Sequence, residues 1–526
     1  MSLAATTPKS HISDLLTDLR EYSNTRINSA LMDNRRCFSP HIVLDLGNMG
    51  ILGQQVPEQF GGLGLSNQDC MAVSQQIGAI DLSLAIFVGL HNYLGIRPIM
   101  NFSQNAIKAY WLPQLATGRK LTAFALTEPG AGSNAGAIEG TARQLNNGRV
   151  RLNAQKMWIG NASWASVINV FARYYDANGK PFGINGYMVE QGIPGLEMGT
   201  ELMTMGMRGM VQNRFSLNNA EVPISNQLGQ PGKGLDVAQD AMMYTRLALG
   251  AIFLGAMKRT QQLLLRFVKR RHKIATGSLF EHPVCMIRMS EISHQISVQE
   301  ALVNYISLSL DKHQDLPEEF LITAKVMGSE FLWDAADSAS QFMGGRGYSE
   351  TNEISRIIRD ARVGRVFEGP TETMMNYMGS RLNAKDSTLR HYLSEKMNAP
   401  ELADQLFEIR DKTAFYFKNH QGVFKGIKKR HLINSILGEC IAWVILHAVA
   451  NGDDQCNLDG RVIYWIKDKL KEKVNELSDV SKFAQATMDT AEIKSQIEIY
   501  EYAIGDMDQS MPGEEWSKDE YLTKGE

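Results

Sequence analysis

Residues Phe124 to Gly140 read FALTEPGAGSNAGAIEG, and the chain changes character across them. Upstream, from about Ile12 to Leu121, apolar residues recur at helical spacing, interrupted chiefly by the glycine-rich VPEQFGGLGLS at Val56 to Ser66. Downstream, as far as about Leu228, short segments rich in Val, Ile and Tyr (Arg149 to Leu152, Val167 to Arg173, Gly186 to Glu190) are separated by turn pairs such as Asn147-Gly148 and Asn178-Gly179. The quoted stretch has little side-chain bulk. Its glycines let a backbone come close to a planar or phosphorylated ligand, and Thr127 and Ser133 supply hydroxyls. A tight interdomain turn accounts for the same composition, so this segment alone leaves both readings open.

Helical patterning returns after LGQPGKGL at Leu228 to Leu235, in long runs from Val237 to Lys273, Met289 to Lys312 and Pro317 to Met343. A further helical tail follows Lys385. The expected fold class is α+β, mainly α: an N-terminal helical domain (1–121), a central β-barrel or sandwich domain (122–228), a C-terminal four-helix bundle (229–388) and a helical extension (389–526).

With 526 residues, 44% hydrophobic and 21% charged, the chain is large enough for several packed domains. Lysine plus arginine total 54 against 57 aspartate plus glutamate, which argues against nucleic acid or an anionic membrane as the main partner. Five scattered cysteines (Cys37, Cys70, Cys285, Cys440, Cys456) suggest neither a metal site nor a disulfide framework, so a reducing, intracellular and cytoplasmic setting is expected. The N-terminal MSLAATTPKSHISDLLTDLREY has neither a signal-peptide core nor the acid-poor composition of a transit peptide. Leu432 to Ala450 is apolar but interrupted by Asn434, Glu439 and His447, which predicts a buried helix and no transmembrane segment.

Three further segments bear on chemistry. QKMWIGN (Gln155 to Asn161) carries Trp158, whose indole can pack on an aromatic cofactor or fill a β core. QFMGGRGY (Gln341 to Tyr348) sets a glycine pair after a helix, where backbone N–H groups and Arg346 suit phosphate oxygens, although GGxG alone more often marks a turn. VFEGPTE (Val366 to Glu372) places one carboxylate among apolar neighbours, followed at once by glycine and proline.

Taken together, in this order and separation, the four segments resemble the acyl-CoA dehydrogenase family over about residues 12 to 390. VPEQFGGLGLS, LGQPGKGL, Arg246 in YTRLALGA, KRRHK at Lys269 to Lys273 and RDAR at Arg359 to Arg362 fit the same pattern. The resemblance implies FAD as cofactor and dehydrogenation of an acyl thioester. Glu368 would be the catalytic base taking the α-proton, while the β-hydrogen leaves as hydride to flavin N5. It implies that Phe124, Leu126, Thr127, Gly132 and Ser133 line the flavin, with Trp158, Ile159 and Gly160 at its reactive edge. Arg271, Gln341, Gly344 and Gly345 would hold its pyrophosphate and adenosine end, in relatives often in a neighbouring subunit, with Pro370 and Glu372 also against the cofactor. Ser133, Arg246 and Gly369 would meet the substrate. Some branches carry the base one residue before the arginine; here that residue is Thr245, which cannot serve.

The implied partners are an acyl-CoA or acyl carrier protein thioester, an electron-transfer flavoprotein or oxygen as acceptor, and a homodimer or homotetramer; lipid metabolism is the implied setting. An oxidase on the same fold and a non-catalytic flavin-carrying binding protein are the alternatives. Several positions depart from the family pattern. Gly160 stands where a hydroxyl residue is common, Met243 where aspartate is frequent, and Pro370 where threonine is frequent. MRGMVQNRF (Met207 to Phe215) lacks the usual serine, and HKIATGSLFEHP follows Arg271 in place of the usual run. Methionines near the acyl side (Met203, Met205, Met207, Met210, Met242, Met243) serve packing or a plastic pocket. A basic cluster, Lys418, Lys425, Lys428, Lys429 and Arg430, interleaved with Phe415, Tyr416, Phe417 and Phe424, reads first as a solvated helix face.

Overall fold

The computed structural model describes residues 8–275, 277–383, 388–419, 425–452, 458–478 and 487–505. Seven helices come first: α1 (Pro8–Arg26), α2 (Ser29–Arg35), α3 (Pro40–Asn48), α4 (Asn67–Ile80), α5 (Leu82–Gly89), α6 (Arg97–Phe102) and α7 (Asn105–Ala116). Ser66 and Asp81 cap α4 and α5 by accepting N–H bonds from Asp69 and Leu84, which satisfies donors that the first turn leaves free. A π-helical segment, Leu90–Ile96, joins α5 to α6.

Eight strands follow: β1 (Thr122–Ala125), β2 (Thr141–Gln144), β3 (Arg149–Gly160), β4 (Val167–Tyr175), β5 (Pro181–Glu190), β6 (Leu196–Glu201), β7 (Gln212–Pro223) and β8 (Gln227–Leu228). They form one mixed sheet in the order β6-β7-β3-β2-β4-β5-β8, with β1 added along β4. Both β1 and β2 pair in parallel with β4, β1 at Val167 to Val170 and β2 at Arg173 to Tyr175. Two consecutive strands on the same edge of a third force the chain between them, 126–140, out of the sheet as a loop held at both ends. That loop is the glycine-rich stretch.

The long helices come next: α8 (Gly234–Arg270), a short hairpin of β9 (His272–Ile274) and β10 (Gly277–Ser278), α9 (Pro283–Asp311), α10 (Glu318–Met343), α11 (Gly345–Tyr348), α12 (Glu353–Gly364) and α13 (Thr371–Leu382). α8, α9 and α10 pack on one another, α12 lies against α8 and α10, and α4 lies against α8. Close approach has local causes: a Cβ on Gly255 would sit 1.9 Å from the Gln75 carbonyl oxygen of α4, so only glycine allows the α4–α8 crossing.

In the extension, α14 (Thr388–His391), α15 (Pro400–Asn419), α16 (Gly426–Asn451), α17 (Gly460–Ser478) and a further helix, Thr490–Ile504, follow. α16 crosses α13 at glycines of both helices, Gly379 against Asn434 and Gly438 against Met375. Among the described residues, two helical stretches, Leu82–Phe102 and Gly426–Asn451, are long and apolar enough to cross a membrane, but 89% and 72% of their apolar windows are buried inside the protein. Lys418, Lys425, Lys428 and Arg430 are exposed, whereas the side chains of Tyr416, Phe417 and Phe424 lie outside the described residues.

Candidate active site

The 126–140 loop is fixed from beneath by a buried ion pair. Lys156 of β3, 1% exposed, donates to Glu128 Oε1 at 2.7 Å and to the carbonyls of Phe171 and Leu126 at 2.7 and 3.1 Å. All three ammonium hydrogens thus have acceptors. Glu128 in turn accepts the N–H groups of Glu139 and Gly140, so one carboxylate ties the start of the loop to its end. A Cβ on Gly140 would lie 2.6 Å from that carboxylate. The loop's outer glycines, Gly130 and Gly132, have nothing near the place where a Cβ would be, and Gly132 and Ser133 are exposed.

Beside the loop, β3 is irregular between Lys156 and Ile159 in its pairing with β7, and Trp158 has φ 60°. The irregularity turns the indole outward, to 54% exposure, and excludes the core role that a tryptophan in a strand suggests. The Met157 N–H donates to Thr127 O, which joins the indole's neighbourhood to the loop. Ile159 and Leu126 are buried, and Phe124 packs on Phe171 with ring centroids 4.8 Å apart. At Gly160 a Cβ would meet Leu90 at 2.8 Å, so a leucine side chain fills the space a larger residue would need.

Glu368 lies between α12 and α13, with the non-glycine φ of 53° followed by Gly369 at 100°. Left-handed backbone at a glutamate costs free energy unless the surroundings impose it, and such strain gathers at functional sites. Here α10 imposes it. Glu330 accepts from Arg365 Nε (2.8 Å) on one side of the corner and from Thr371 Oγ1 (2.6 Å) on the other, and Lys325 Nζ donates to the Gly369 carbonyl (2.7 Å). Arg246 of α8 adds a long contact from Nε to the Glu368 carbonyl (3.5 Å). Among the described residues the Glu368 backbone N–H donates to nothing, and Oε2 is sealed from solvent without a hydrogen-bond partner.

Burial raises the Glu368 carboxyl above its ordinary range, while the charges of Arg246 and Lys325 pull it down. Arg246 is lowered by burial against the opposing pull of Glu368. Thr245 is buried and its hydroxyl donates to Ala241 O on its own helix. Met243 Sδ lies 3.6 Å from Arg246 Nη1, a weak acceptor where an aspartate would have made an ion pair.

Arg246, Glu368 and Gly369 therefore come together. Arg271, Gln341, Gly344 and Gly345 form a different, exposed place at the far end of α8 and α10. A cavity of about 410 Å³ there is lined by Arg266, Arg270, Arg271 and Arg346, none of them ion-paired among the described residues. RDAR proves structural: Arg359 pairs with Asp33 at 2.6 Å and donates to the Met205 carbonyl, and Asp360 accepts the Met207 N–H. Met207 and Met210 are buried in this packing, whereas Met203 and Met205 are exposed. Sequence reasoning missed Lys325, Glu330, Glu128 and Lys156. A lone lysine inside apolar LITAKVMG was the available signal for the first.

Three consecutive family models match the chain: acyl-CoA dehydrogenase N-terminal domain at residues 11–119, middle domain at 123–220 and C-terminal domain at 232–383. The very long-chain specific acyl-CoA dehydrogenase of Rattus norvegicus mitochondria is 30% identical over 335 residues, 62% of this chain and 51% of that protein, so the chain spans about half the length of such relatives. An acyl-CoA dehydrogenase of Bacillus subtilis (strain 168) is 29% identical over 67% of this chain and 93% of its own. The crystal structure of an acyl-CoA dehydrogenase complexed with FAD from Bacillus anthracis superposes with a TM-score of 0.75 at 22% identity, covering 94% of this chain and 92% of that one. The fold likeness thus extends into the C-terminal helices.

Proposed function

The chain belongs to the acyl-CoA dehydrogenase family, and on that premise we propose that it is an FAD-dependent oxidoreductase that desaturates an acyl thioester between its α and β carbons, with Glu368 as the base. The observation that carries this reading is the Glu368 corner: a carboxylate with an unpartnered, solvent-sealed oxygen, held in a left-handed turn by α10 and facing two cations.

The residues fit the cofactor. The open face of the 126–140 loop, with no Cβ at Gly130 or Gly132, and the outward indole of Trp158 suit a planar ring. Four arginines without acidic partners among the described residues suit a pyrophosphate. Because that arginine cleft lies far along α8 and α10 from Glu368, it serves the cofactor of a second copy, which makes the working unit at least a homodimer. The chemistry that FAD supplies when bound is acceptance of the hydride from the β-carbon.

The chain's own residues handle the proton and the developing charge. Burial makes Glu368 a stronger base than an exposed glutamate, and the charges of Arg246 and Lys325 oppose that rise. The free Glu368 N–H is the donor available to a thioester carbonyl as it gains enolate character. Anaerobic titration of FAD-loaded protein with saturated acyl-CoAs and carrier-protein thioesters tests the reading: bleaching of the oxidised flavin is expected with at least one. Reoxidation in air against an electron-transfer flavoprotein then separates a dehydrogenase from an oxidase.

A further inference from the structure

Lys325 belongs to no motif that led to the site. It is fully buried in the N-terminal third of α10, and its ammonium has a single acceptor among the described residues, the Gly369 carbonyl at 2.7 Å. Its nitrogen lies 5.9 Å from the Phe367 ring centroid, so it sits under the corner on both sides of Glu368. A methionine would fill the same space without the cost of desolvating a charge, and packing therefore does not account for a lysine here.

We infer that Lys325 is a positioning residue for the reaction: its ammonium fixes the left-handed Glu368–Gly369 corner through the Gly369 carbonyl and sets a positive charge facing the Glu368 carboxylate. The inference rests on the reading of Glu368 as base. The charged and titratable groups facing the lysine are Glu368 on the corner, Arg246 on α8, Glu330 on its own helix and Glu372 on α13; Arg246 in turn feels Glu318 and Tyr377. Burial and Arg246 push Lys325 down, to about 7, against the opposing pull of the three carboxylates. Any change in Glu368's charge therefore acts back on the lysine.

Lys325→Gln keeps a donor for the Gly369 carbonyl and removes the charge; Lys325→Arg keeps the charge. In FAD-loaded protein, the Glu368 carboxylic C=O infrared band, identified by its loss in Glu368→Gln, is followed against pH. Its midpoint is expected to rise by about one pH unit in Lys325→Gln and to stay within a few tenths of wild type in Lys325→Arg. Below that midpoint, flavin reduction by octanoyl-CoA or hexadecanoyl-CoA is expected to be about tenfold slower in Lys325→Gln and to converge with wild type at high pH. An unshifted carboxyl midpoint in Lys325→Gln, or a rate loss equal at every pH, overturns the inference. If Lys325→Gln does not fold, Lys325→Met, which loses the donor to the Gly369 carbonyl as well as the charge, is followed for the same upward midpoint shift; if neither neutral variant folds while Lys325→Arg does, the lysine is structural and the inference fails. A shifted midpoint in protein whose flavin no thioester reduces leaves the lysine's hold on Glu368 standing and sinks the base assignment instead.

Discussion

Replacing Lys156 with methionine takes away the cation paired with Glu128 and three hydrogen bonds at once, leaving the buried carboxylate, among the described residues, with the Glu139 and Gly140 N–H groups. Removing one member of a buried pair costs about 3–5 kcal/mol, because the remaining charge is uncompensated. The pair spans the neck of the 126–140 loop, so the loss is expected both in the unfolding of the β sheet and in retention of FAD. Glu128→Gln alone strands the ammonium, although the Leu126 and Phe171 carbonyls still accept from it. The double variant buries no net charge and is expected to recover about 2 kcal/mol or more of the summed losses. Thermal and urea unfolding of the four proteins, with flavin retained after gel filtration, measures the cycle. A Lys156→Met cost under about 1 kcal/mol, or strictly additive losses, would refute the claim that this pair holds the loop.

His91 is buried with Nε2 against Leu115 O at 3.0 Å, and burial pushes it down to about 4. The unfolded chain takes up its proton near 6.5 and the folded one only near 4, so stability is full above 6.5 and falls as pH drops through that window. At about 1.4 kcal/mol per unit this amounts to roughly 3 kcal/mol; His91→Gln should flatten the pH dependence of the melting temperature between pH 7 and 4, and an unchanged slope would contradict the assignment. Gly369→Ala places a Cβ 2.6 Å from Met374 Cε at φ 100°. The methionine can move but the backbone cannot, so a cost of about 1–3 kcal/mol is expected at the corner, with turnover falling more than thermal stability. Equal activity in the alanine variant would show that the corner tolerates relaxation.

The succession of helices, strands and helices was legible because periodicity changes at the quoted stretch and again after Leu228. Long runs were also placed well: Pro317 to Met343 is realised as Glu318–Met343, and Val237 to Lys273 ends at Arg270, where the chain turns into a hairpin. Glu368 and Arg246 were accessible through motifs far apart in sequence, but the forces on them were not. Lys325 and Glu330 lie some forty residues before the corner they hold, on a helix whose pattern reads as apolar packing, and nothing local announces a contact at that separation. Trp158 taken alone left core and cofactor readings open for a related reason. Alternation along a strand assumes regular pairing, and the irregularity beside Ile159 arises from β7, a strand more than fifty residues later.

The most direct test is the rate of flavin reduction on anaerobic mixing of wild type and Glu368→Gln, both FAD-loaded, with the best thioester found by titration. A general base working in a dry site contributes about 10²–10⁴-fold, so the glutamine variant should bind the same thioester with similar affinity and reduce its flavin more slowly by at least a hundredfold. Reduction at the wild-type rate would show that the proton leaves by another route and that the Glu368 corner is not the catalytic centre.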